Sequence, residues 1–195
     1  ELVSATALTL DLQGGALNNR DKGLIATPGA LLLNSLGKID NSVGGEISSA
    51  QSFLLKAETL DNSAGRIISS QDLNLQITGK LLNNLKGSLS AAKLTVEAAS
   101  LDNSAAGVLV SKGDLNVTLG GKLDNHGQGL ISAGQELSLK SGSLDNSQQG
   151  LLASNGVLKL TTGEVNNQGG TLASQTTLNA STANLDNRGG IISSQ

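Results

Sequence analysis

Nothing constrains this chain more than its own recurrence. The stretch Leu60-Asp61-Asn62-Ser63-Ala64-Gly65-Arg66-Ile67-Ile68-Ser69-Ser70-Gln71-Asp72-Leu73-Asn74-Leu75 sets a pattern that returns along the whole sequence. Its sharpest piece, an aliphatic residue followed by Asp or Asn and then Asn, occurs nine times. The final residues of these triplets are Asn19, Asn41, Asn62, Asn84, Asn103, Asn125, Asn146, Asn167 and Asn187, at intervals of 22, 21, 22, 19, 22, 21, 21 and 20 residues. A fixed period of this length is the signature of a solenoid, in which each repeat packs only against its neighbours. The 195 residues therefore read as a single repeat array over 1–195.

Each repeat reads as three short strands joined by corners. The first is the aliphatic-Asp-Asn segment, whose alternation puts the aliphatic and the second Asn on the inner face and the Asp outside. A Gly- and Ser-rich corner leads to the second strand, with Ile25, Ile47, Ile67, Leu89, Leu109, Ile131, Leu152, Leu172 and Ile191 as its inward aliphatics. Two residues further on, the same face carries a small side chain such as Ser49, Ser69 or Ser111. The third strand shows Leu-x-Leu, as in Leu73 and Leu75 or Leu137 and Leu139, with polar residues between, the mark of a half-buried strand.

About 21 residues holding three strands leave corners of two to five residues, too short for the crossover helix of a βαβ unit. The expected fold is all-β: a right-handed parallel β-helix of about nine coils, stacked at ~4.8 Å into a rod of roughly 40 to 45 Å. With one aromatic residue, Phe53, and one proline against 25 glycines, Leu and Ile must fill the interior. Glu1 to Leu10 reads as a third strand without its first two, and Ile191 to Gln195 stops after a second strand. The expectation is an interior fragment of a longer protein, without evident caps and with open ends suited to end-to-end self-association.

An inward Asn in every coil would be a buried polar liability unless paired. Stacking answers this, because the nine amides can donate and accept along the axis as a structural ladder. Outside it runs a row of Asp40, Asp61, Asp102, Asp124, Asp145 and Asp186, broken by Asn18, Asn83 and Asn166; capping of corner amides is the expected role. Oxygen ligands would suit a calcium ion between Asp102, Asp124 and Asp145, but the Gly-Gly-x-Gly-x-Asp calcium repeat is absent and no metal site is assigned. His126, the single histidine, reads as a turn residue, with no Cys or second His to complete a metal or nucleophilic set.

The net charge of -3 is spread without a basic block, which argues against nucleic acid as a partner. No apolar run is long enough to span a bilayer as a helix. No catalytic residues and no cofactor are expected, and the ligand-binding residues, if any, are open. Polysaccharide-degrading enzymes also use β-helices, but they need long loops walling a cleft, whereas these intervals vary only from 19 to 22 residues.

Written as Leu-Asp-Asn, Gly-x-Ile-x-Ser and Leu-x-Leu, the repeat resembles the haemagglutinin repeats of filamentous haemagglutinin-like exoproteins. Leu123-Asp124-Asn125, Gly129-Leu130-Ile131-Ser132-Ala133 and Leu137-Ser138-Leu139 look like one complete family repeat. The resemblance implies a large Gram-negative exoprotein, secreted or held at the outer membrane. It further implies export through an outer-membrane β-barrel partner in two-partner secretion, and service as an adhesin or as the stalk of a contact-dependent growth inhibition toxin. A stalk is the expected role; the alternative is a segment that itself contacts a host or target-cell receptor. The irregular places, Arg20-Asp21-Lys22 with Thr27-Pro28-Gly29, and Leu82 to Lys93, are the candidates for that contact.

Overall fold

The computed structural model describes residues 1–34 and 36–195. Every strand pairing is parallel, and among the described residues there is no helix. The chain winds into a β-solenoid of about nine stacked coils, each near 21 residues long, as its period requires.

The second strands form one ten-stranded sheet, running from Leu2–Val3 through Leu24–Thr27 and Val108–Ser111 to Ile191–Ser194. The first and third strands of the coils share a thirteen-stranded sheet. They share it because the third strand of one coil often runs straight into the first strand of the next, as in Asp72–Leu82, Lys93–Asp102 and Leu158–Asn166. Where Asp72–Leu82 pairs with Lys93–Asp102, the bend is a register irregularity between Ile77 and Lys80 rather than a break in pairing.

The core is a single apolar column, aliphatic apart from Phe53. Leu101, Leu109, Leu115 and Val117 are almost wholly buried, and their counterparts above and below stack on them in register. Each side chain thus fills the gap between two neighbouring coils, and no coil has a core of its own.

Three positions differ from the repeat as read in sequence. In the fourth coil the buried aliphatic is Leu81, which pairs with Leu60 and Leu101, so the inward Asn is Asn83 and Asn84 lies on the corner. Only Leu82-Asn83-Asn84 fits the triplet, yet stacking on the neighbours selects Leu81-Leu82-Asn83 instead. At the end of the chain Ile192, not Ile191, pairs with Leu172. Glu1 to Leu10 contains a second strand as well as a third, because Leu2 pairs with Ile25 before Leu8 pairs with Leu31.

Each corner between first and second strands is closed by a glycine: Gly23, Gly45, Gly65, Gly87, Gly107, Gly129, Gly150, Gly170 and Gly190. The reason is space. A Cβ on Gly107 would lie 2.3 Å from the Asn83 carbonyl oxygen of the coil below and 2.6 Å from the Asn103 Oδ1. Replacing Gly107 by Ala forces two backbones apart and should destabilise the array by about 3 kcal/mol. Gly169→Ala, where φ is +65° and no atom lies within 4 Å, should cost only about 1 kcal/mol of left-handed strain. Denaturant melts of the two variants check this, and equal losses would mean that the glycines serve backbone freedom rather than close approach.

Candidate functional site

The corner after each first strand carries most of the polar chemistry of the molecule. The aliphatic of that strand points into the core, which turns the next residue outward and the following Asn inward. The side-chain amides of Asn19, Asn41, Asn62, Asn83, Asn103, Asn125, Asn146, Asn167 and Asn187 form one continuous chain. Each Nδ2 donates to the Oδ1 of the next, at 2.6 to 2.8 Å. The same nitrogen also donates to backbone carbonyls at the corner. Asn103 Nδ2 reaches Gly107 O at 3.0 Å and Leu130 O of the next coil at 3.1 Å. From Asn41 to Asn167 these residues are fully buried.

Asn84 is therefore not part of the ladder. It occupies the corner position that Ser63 and Ser104 hold in adjacent coils, and its Nδ2 donates to Asp102 Oδ2 at 2.9 Å. With Asn83 in the row the intervals become 22, 21, 21, 20, 22, 21, 21 and 20 residues. The apparent 19-residue coil disappears, and with it the sequence ground for singling out Leu82 to Lys93.

Outside the ladder the register aligns Asn18, Asp40, Asp61, Leu82, Asp102, Asp124, Asp145, Asn166 and Asp186. Leu82, not Asn83, interrupts the acids. Their Oδ1 atoms accept the amide two residues on, from Ser42 at 3.0 Å, Ser63 at 2.9 Å and Ser104 at 3.1 Å, so each acid caps its own corner. The residue after the ladder Asn's immediate successor is left-handed in coil after coil, including Val43 at φ 54° and Leu85 at φ 52°. These two are exposed, which makes them the least comfortable residues of the corner column.

One corner gathers more charge than the others. His126 Nδ1 meets Asp124 Oδ1, Lys122 Nζ lies 2.8 Å from Asp124 Oδ2 and 3.9 Å from Asp145 Oδ2, and Asp145 stacks on Asp124 in register. Sequence suggested Asp102, Asp124 and Asp145 as the oxygen-rich group; the structure instead gathers Asp124, His126 and Asp145, whose ligand atoms all lie within 4.8 Å of one another. Lys122 already supplies a positive charge there. Burial opposes ionisation of Asp124, but hydrogen bonds from His126 and Lys122 outweigh it and hold the carboxyl below its ordinary value. The hydrogen bond to Asp124 raises the His126 imidazole above its ordinary value, against partial desolvation. The same carboxylate raises Lys122.

A shallow groove of about 480 Å³ crosses the first strands of the early coils, with Lys38, Asp40, Thr59, Asp61 and Lys80 along it. Arg20 pairs with Asp21 at 3.2 Å and Asp40 at 3.6 Å, which ties the first irregular corner to the acid row.

Two measurements follow from this geometry. Asn103→Ala leaves the Asn83 amide and the Asn125 carbonyl each short of a partner in the core, and should cost at least about 2 kcal/mol. Asn84→Ala should cost under about 1 kcal/mol, because it loses one hydrogen bond at a half-buried corner and removes an Oδ1 that has no partner; a reversed order would place Asn84 in the ladder. For His126 the raised value means that its charged form is favoured by folding. Its contribution is present below the unfolded value of about 6.5 and is lost as pH rises through the higher folded value. Asp124, being lowered, contributes above about 3.9 and loses that contribution as pH falls through its folded value. The melting temperature of wild type should therefore exceed that of His126→Gln most between about pH 4 and 6.5, with the gap closing at higher pH. A gap that widened with pH would contradict the assignment.

The haemagglutinin repeat family model matches residues 10–84, 75–127 and 126–195, so the matches span nearly the whole chain. Among curated proteins and among solved structures, none matches it significantly. Repeat, coil and ladder agree with that match from end to end: the chain belongs to the haemagglutinin repeat family.

Proposed function

We propose that this array is the rigid stalk of a large exoprotein, a spacer that carries a binding or toxic element away from the cell surface. The observation that supports it is the unbroken amide ladder. Nine amides are joined in one chain across coils of almost constant length, and the aliphatic column beneath them has no interruption. A structure of this kind resists bending because a tilt between any two coils stretches an amide bond, a corner contact and two sheets together. Family membership implies a secreted or surface exoprotein. We extend this to the outer surface of a Gram-negative cell, with export through an outer-membrane β-barrel partner. Coil-by-coil assembly, in which each new coil is templated by the last, suits a chain that emerges end first.

The haemagglutinin repeat family is a structural adhesin repeat rather than an enzyme family. The grooves lie open along the sheets, and we assign the chain no catalytic role. A second reading, direct contact with a host or target-cell receptor, draws on the early corners. There Arg20 and Lys22 sit beside exposed Val43, with exposed Leu85 and Lys86 two coils beyond Val43.

The two readings part on one measurement, binding of the labelled chain to intact host and bacterial cells. The stalk predicts no saturable binding by a chain that retains its β-rich circular dichroism. Saturable binding lost in the Val43→Ser, Leu85→Ser double variant would replace the stalk with the receptor reading.

A further inference from the structure

The outer face of the ten-stranded sheet changes character half-way along the rod. In the early coils it carries Glu46 and Arg66, paired at 3.6 Å. From Val108 onward it carries Val108, Val110, Leu130, Leu151, Ala153 and Ala173 in two aligned rows, interspersed with the hydroxyls of Ser132 and Thr171. No charged side chain lies on these rows between Ser88 and Ile191. The outer face of the thirteen-stranded sheet at the same level is polar and charged, with Asn116, Thr118, Ser138, Lys140 and Lys159. At this level the alternation that keeps aliphatics inside is thus suspended on one face only.

We propose that this strip is a docking surface for a second copy of the chain, the two rods lying side by side with their uncharged sheet faces in contact. Backbone hydrogen bonds here run between coils, so the flank of the sheet has no free strand edge and cannot accept an added strand; it can only be covered face to face. The rows rise by one side chain per coil, ~4.8 Å. A partner that sets an aliphatic against every level must have the same rise, and this chain is a surface that has it. A two-fold axis through the level of Leu151 places the Leu130 level against that of Thr171 and the Val108 level against that of Ile191. Uncharged side chains then meet at every step, as an isologous contact needs. The strip covers five coils, ~24 Å, by a four-residue strand, ~13 Å, or ~300 Å² per chain. That is well below the about 800 Å² per partner of a standard interface, so pairing should be weak and rapidly reversible. It does not depend on the array being a stalk.

Sedimentation velocity on the 195-residue chain across about 10 µM to 1 mM, the range of a weak complex, tests this. The weight-average mass should rise towards that of a dimer, and should do so equally in high salt. The Leu130→Lys, Leu151→Lys variant should stay monomeric at every concentration, with Leu130→Thr, Leu151→Thr in its place if the lysines unfold it. Leu32→Lys, Leu54→Lys, on the outer face of the other sheet, should associate as wild type does. A wild-type chain that stays monomeric throughout overturns the proposal. So does association that survives both outer-face variants but is lost on Ile192→Lys, which would assign it to stacking of coil ends.

Discussion

Each ladder asparagine is buried in a coil that cannot satisfy its amide alone. One Nδ2 hydrogen reaches the corner carbonyls, and the other has only the Oδ1 of the next coil to meet. An orphaned amide in such surroundings would cost about 1 to 3 kcal/mol, so a lone coil is penalised and a stacked one is not. That dependence couples the coils more tightly than apolar contact would. Aliphatic side chains tolerate a sliding of neighbours, whereas an amide row at 2.6 to 2.8 Å fixes the rise and register of every coil on the one below. The least forgiving interaction of the rod is thus also its most regular.

The glycines serve the same end by a different route. From Gly45 onward each lets the corner of one coil settle on the ladder asparagine's backbone carbonyl in the coil below, with hypothetical Cβ distances between 1.9 and 2.5 Å to that oxygen. The acids of the outer row stay at the surface, where their Oδ1 atoms close the turn and their Oδ2 atoms remain for Arg20, Asn84, Lys122 or Arg188. Surface ion pairs of this kind contribute little to stability. Their effect is to keep stacked carboxylates from repelling one another, and Lys122 between Asp124 and Asp145 is the clearest case.

With a core this uniform, what distinguishes one stretch of the rod from another lies on the outside. The early coils bear charged and strained corners around Arg20, Lys22, Val43 and Leu85, and the later ones an uncharged sheet face. Neither is needed for the fold, since outward positions are free to vary once the inward ones are set. Such features are where a repeat array acquires any individual role.

The period, the three strands per coil, the inward aliphatics and the need for an amide ladder were legible in the sequence, because each follows from local alternation repeated many times. The misplaced ladder residue has a plain physical cause. The corner accepts three or four residues from ladder Asn to glycine, as Asn62 to Gly65 and Asn103 to Gly107 show, so Asn83 and Asn84 are equivalent locally. Only the burial of Leu81 between Leu60 and Leu101 decides between them. For the last coil the sequence did hold a usable signal: the corner glycine stands two residues before the inward aliphatic, in Gly170 and Leu172 as in Gly190 and Ile192. The meeting of His126 with Asp124 and Asp145, and the alignment of Val108, Leu130 and Leu151 into an uncharged strip, were beyond reach. These residues lie in different turns of the helix, and only the register between coils brings them together.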